Sequence, residues 1–265
     1  MIRSIRAELV KLTRPRFAAI AVLATVVVAA GLTAVGVLVA EPGGLGGTAG
    51  APGLLSIDAL ADAGGGTAVF AQTAAFGAVF LLAVFIATVA GELTRGTFRT
   101  MLLQQPARGR VLAGKVVAIV GYASALALVA AVVGWVTARL LAPGQGIDTS
   151  RWISLDALGA AAEDYGRLVA FTAGWAVLAT LVGVLARSVP IGVGVGLVWA
   201  GPIENIIGDG WSPGERWFPG LVLRALITPD AAVISTTRAL ATVAAYAAIA
   251  VGVTAIALRR RDVTA

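Results

Sequence analysis

The chain has no cysteine and no histidine in 265 residues. Without cysteine there is no disulfide framework and no thiol chemistry. Without histidine there is no Ser/His or Cys/His nucleophilic pair, no His-based zinc site and no His-ligated haem. Charge is also scarce: Asp, Glu, Lys and Arg together make up 13% of the residues, against 58% hydrophobic. Mean hydropathy is +0.92. The charges that exist fall in clusters and leave long uncharged gaps.

A bilayer crossing needs about 20 apolar residues to span about 30 Å of hydrocarbon. The gaps place six helical spans over 17–40, 67–91, 116–138, 168–186, 188–205 and 239–258. The fifth is short and carries Pro190 and Pro202. The expected fold class is therefore an all-α membrane protein with a single transmembrane domain over 1–265. The first apolar run is too long for a cleaved signal segment, so it is expected to stay attached as a span.

Positive charge sets the expected orientation. With six spans both termini share a side, and 14 of the 20 basic residues fall there with three of the 14 acids. The opposite side carries six basic residues and eleven acids. This asymmetry follows the positive-inside rule and puts both termini in the cytoplasm. The formal charge of +6 is then a consequence of topology and calls for no nucleic acid.

Residues 1–16 have the spacing of an amphipathic helix, with Ile2, Ile5, Leu9 and Leu12 on one stripe and Arg3, Lys11 and Arg14 opposite. Arg6 adds to the basic lead. Such a helix can lie in the headgroup layer with its basic face toward anionic lipid. A lead that only fixes orientation explains the same pattern. Pro15 ends it before the first span.

The densest basic feature is the island 91–115, which holds Arg95, Arg99, Arg108, Arg110 and Lys115 against Glu92 alone. Within it Thr97 can cap a short helix that puts Phe98, Met101 and Leu102 on one face, and Pro106 disfavours helix at Gln105. Pattern alone leaves two readings of that helix: a surface-lying linker or a docking element. The run from Gly109 to Lys115 copies the first seven positions of a phosphate-binding loop. Val116 stands where a hydroxyl must hold magnesium, and no strand precedes it, so the loop reading fails.

Other features read more plainly. The outer loop 41–62, with EPGGLGGTAGAPG at its core, is expected to be a flexible connector. Trp152 and Tyr165 are expected at an interfacial belt. Gly192 and Gly196 form a GxxxG pair suited to close helix packing. The stretch 204–238 suggests a partly inserted turn or interfacial helix, with Glu204 and Asp209 at a solvated rim. With no charge expected at mid-membrane, energy for transport has to come from elsewhere.

Over nearly its whole length the chain resembles the membrane subunit of a type-2 ABC exporter, the permease family of bacterial drug, peptide and sodium export systems. The resemblance rests on the lead IRAELVKLTRPRF, six spans, and the ordered set Glu92, Gly96, Thr97, Arg99, Pro106, Arg108 and Lys115 in the loop between spans two and three. The stretch WFPGLVLRAL is also similar. The resemblance implies that an ABC ATPase subunit on the cytoplasmic face binds the ATP, with Glu92, Arg95, Gly96, Thr97, Phe98, Arg99, Met101, Leu102, Pro106 and Arg108 at the coupling contact. It further implies a connecting helix bearing Arg3, Arg6, Lys11 and Arg14, and a second permease subunit, identical or related, completing a dimer in the cell membrane. No enzymatic activity, metal or cofactor of the chain's own is expected. An ATP-independent carrier or channel using Glu204, Asp209 and Arg139 is the alternative.

Overall fold

The computed structural model describes residues 2–41, 56–95, 108–208, 211–229 and 232–260. Every regular element among them is helical. The chain is an all-α membrane protein. Five of its helices are long and apolar enough to cross a bilayer, and a bent pair makes a sixth crossing if it is counted as one.

Helix α1 (Ile2–Leu12) is followed by α2 (Pro15–Leu38), whose first position is the proline that terminates α1. Ser56 caps the short α3 (Ile57–Ala61). The expected span over 67–91 is broken: α4 (Gly65–Thr73) and α5 (Ala78–Thr94) meet at 56° across a 3-10 turn, Ala74–Gly77. The Thr73 hydroxyl donates back to the carbonyls of Val69 (2.7 Å) and Phe70 (3.2 Å). Such back-bonding competes with the backbone ladder and bends helices.

Helix α6 (Arg108–Leu141) has 34 residues, about 50 Å of helix, so it outreaches the hydrocarbon layer. Helix α7 (Leu155–Ala186) is capped by Ser154, which accepts from the Ala157 N–H at 3.1 Å. It starts well before the expected span at 168, because its first three turns carry charges that a search for uncharged gaps passes over. Those charges pair: Arg167 reaches Glu163 at 2.6 Å, and Thr67 donates to Asp164 at 2.7 Å. Helix α7 is the central post, with 56% of its most apolar stretch buried against 17–22% for the other four long helices.

The fifth crossing begins as α8 (Val189–Val198) and continues as a π-helix, Trp199–Ile207. The glycine pair works as expected: a Cβ on Gly192 or Gly196 would come within 2.8 or 2.6 Å of Ile86 on α5. Two short helices, α9 (Ser212–Trp217) and α10 (Pro219–Ile227), lead to α11 (Thr236–Arg260). The expected inserted turn is a core element, since α10 packs on α7 and α11 with Leu221, Val222, Leu223, Leu226 and Ile227 all buried.

Trp152 is not at an interfacial belt. It is 3% exposed, and its indole N–H donates to the Leu60 carbonyl at 2.9 Å. Tyr165 donates from its hydroxyl to the Ser124 carbonyl at 3.1 Å, across α7 and α6. Most of the glycine-rich connector, residues 42–55, lies outside the described residues.

Candidate functional site

Helix α1 turns its stripe of Ile5, Leu9 and Leu12 toward the bundle, packing on α6 with Leu12 against the main core. Ile2, at the head of the same stripe, stays exposed, so the bundle takes up only part of the expected apolar face. The same inward face carries Glu8, which lies one turn from Leu12 and is buried. A carboxylate there is costly unless it is paired.

Glu8 is paired. It accepts from Lys11 Nζ at 2.8 Å on Oε1 and from Lys115 Nζ at 3.1 Å on Oε2. Both ammonium groups also reach Glu92 Oε1, each at 2.9 Å. The four side chains therefore close a ring of alternating charge, Glu8–Lys11–Glu92–Lys115, supplied by α1, α5 and α6. Lys115 is 2% exposed, and its ammonium contacts both carboxylates.

The ring shifts two of its members, Glu8 and Lys11. Burial by itself would raise the Glu8 pKa, but the hydrogen bond from Lys11 and the charges of Lys115 and Lys11 outweigh it and hold the carboxyl below its ordinary range. Burial by itself would lower Lys11. Its bonds to Glu8 and Glu92 outweigh that and raise the ammonium above its ordinary value.

Several expected coupling residues meet here and others do not. Glu92 and Lys11 are in the ring. Lys11 was expected on a face opposite the apolar stripe; it bends back to the two carboxylates instead. Arg95 is exposed and closes α5, with its N–H donating to the Gly91 carbonyl at 3.1 Å. Arg3, Arg6 and Arg14 are exposed. Arg108 opens α6. Gly96, Thr97, Phe98, Arg99, Met101, Leu102 and Pro106 lie outside the described residues. The segment that mimics a phosphate loop, Gly109 to Lys115, is helical, and its lysine is committed to the ring.

A second polar site occupies the π-helix. Pro202 inside it cannot donate a backbone hydrogen bond, and its ring crowds the preceding turn. The wider winding accommodates this, and Asn205 Nδ2 donates to the Ala200 and Gly201 carbonyls at 3.0 and 2.8 Å. The next-door Glu204 is 1% exposed, which overturns the expected solvated rim. Its carboxylate accepts from Trp199 Nε1 at 2.6 Å and from the backbone N–H groups of Gly220 and Leu221. Those are the second and third residues of α10, whose own N-cap, Phe218, offers no side-chain acceptor. Glu204 is thus the N-cap of α10, donated from another helix.

Of the other residues in the carrier alternative, Arg139 donates to the carbonyl of Thr149 at 3.0 Å and to its hydroxyl. Asp209 lies outside the described residues. No known protein family, curated protein or solved structure matches the chain.

Proposed function

We propose that the chain is the permease subunit of an ABC-type exporter of the cell membrane, with six crossings, both termini in the cytoplasm, and its work driven by a separate ATPase subunit. The observation that carries this reading is the charge ring. Glu92 and Lys115 stand at the two ends of the basic island, and the ring joins them to each other and to α1. A push on the island by a cytoplasmic partner would therefore reach α5, α6 and α1 together. A plain turn between two crossings has no need of such a brace.

The reading counts α4 and α5 as one bent second crossing, and it pairs the subunit with a second permease chain in a dimer. Within the island, Thr97, Phe98, Arg99, Met101 and Leu102 would form the coupling helix. The test is co-purification with the ATPase from the same operon or cell. Phe98→Asp with Leu102→Asp should abolish association and stimulated hydrolysis while leaving the chain folded. Undiminished association would remove the island from the mechanism.

One observation favours the ATP-independent alternative, namely Glu204 buried within the fifth crossing. Buried ionisable groups in such segments commonly mark ion pathways. This carboxylate, however, is engaged by three donors and serves a helix end. Transport by the purified chain alone in liposomes, without nucleotide, would reverse the preference.

A further inference from the structure

We propose that the arginine collar around α1 and the start of α2 is a binding surface for the headgroups of anionic phospholipids, so that the bilayer's own acidic lipid is a bound partner of this chain. The inference does not rest on the exporter reading, only on the chain being embedded in a membrane.

Charge at this end of the bundle is distributed unevenly. The ring consumes both of its described acids, Glu8 and Glu92, with the two lysines. Arg3, Arg6, Arg14, Arg16 and Arg110 are exposed, and none has a carboxylate partner among the described residues. They share one end: α1 packs on α6, which carries Arg110 in its first turn, and Arg14 follows the ring's Lys11 by three residues, in the break between α1 and α2. Arg187 joins them, since its carbonyl accepts from the Thr94 hydroxyl at 3.0 Å.

Position selects the kind of anion. Arg14 and Arg16 flank Pro15, the first residue of helix α2, which carries no charge beyond Arg16. Helix α2 has 24 residues, about 36 Å, which leaves little to spare over about 30 Å of hydrocarbon. The two guanidinium groups therefore stand where hydrocarbon gives way to phosphate. Phe17, directly after them, is exposed, as a residue at the apolar side of such a boundary would be. The outward face of α1 mixes the same two chemistries: Ile2 is 74% and Val10 66% exposed, beside exposed Arg3 and Arg6. A surface that is apolar beneath and anionic above matches this mixture. Guanidinium also suits phosphate, which it can grip through two parallel N–H bonds.

The test uses the full-length chain in detergent, titrated with phosphatidylglycerol or phosphatidylcholine and read by native mass spectrometry. Wild type should retain phosphatidylglycerol in clear excess, and raised salt should erode that excess. Replacing Arg3, Arg6, Arg14 and Arg16 by Gln should lower retention stepwise, about fivefold per arginine. Arg216→Gln, at an exposed arginine of the segment before α10, should leave retention unchanged. Equal retention of the two lipids by wild type overturns the proposal, and this arm needs no variant to fold. So does a quadruple variant that keeps its lipid but loses a cytosolic partner, which would assign the collar to a protein surface.

Discussion

Lys115 and Glu92 meet at 2.9 Å across the two mouths of the basic island, with Glu8 of α1 closing on the same ammonium at 3.1 Å. The contact ties the two ends of the island to each other. It also ties the stability of α1 to residues far from it in sequence.

Removing one member of this ring leaves the other three with an excess charge in a largely buried site. Lys115→Met should destabilise the protein by about 3 kcal/mol, the usual scale for breaking one side of a buried pair. Adding Glu8→Gln restores neutrality and should recover most of the loss. Thermal unfolding followed by gel filtration reads both. Equal stability of wild type and Lys115→Met would show that the ring is not closed in the protein.

The ring also predicts a pH window. The Glu8 pKa is depressed in the folded chain, so its contribution is complete above the ordinary carboxyl value and is lost as pH falls through the folded one. Lys11 is raised, so its contribution is complete below the ordinary lysine value and is lost as pH rises through the folded one. Docking of α1 should therefore be flat between about pH 5 and pH 10 and weaken progressively beyond either limit. Because the chain has no cysteine, a single Ile2→Cys carries a probe whose mobility reports docking. Release of α1 near neutral pH would contradict the ring.

Much of this architecture was legible in the sequence, and the failures have physical causes. Uncharged gaps located the long apolar helices because bare charge is expensive in hydrocarbon. The same criterion missed the first turns of α7, where Glu163, Asp164 and Arg167 satisfy one another. Glu8 did leave a signal, being the one acid on the apolar stripe of the lead helix, three residues from Lys11. Its partners Glu92 and Lys115 could not be read, since nothing local says that α1 folds back across α5 and α6. Trp152 was misplaced because an aromatic near a loop end reads alike whether it meets lipid or, as here, the Leu60 carbonyl.

At the opposite polar site, Glu204→Ala removes the acceptor for one indole and two backbone N–H groups. The loss of a cap costs about 1 kcal/mol, and each buried donor left unmatched adds about 1–3 kcal/mol. Hydrogen exchange should rise across 219–227, and Glu204→Gln, which keeps one oxygen, should lie between Ala and wild type. Unchanged protection in the Ala variant would show that α10 is capped by something else.

Gly220 gives an independent check on the same contact. A Cβ there would lie 2.0 Å from Glu204 Oε2 and 3.0 Å from the Trp175 ring, so Gly220→Ala should mimic the loss of the cap. Gly121, with nothing within 4 Å of its Cβ position, should accept alanine at a gain of up to about 1 kcal/mol. If both alanines behave alike in thermal unfolding, the crowding at Gly220 is not real.

Pro202 has a further effect on the carboxylate two residues beyond it. A widened turn in a helix is ordinarily a defect that can slide along the chain, because any residue is able to supply the extra backbone step. Here the imino ring nails the defect to one address. The compass bearing of Glu204 around its helix, and with it the aim of the cap on α10, consequently rests on a covalent ring.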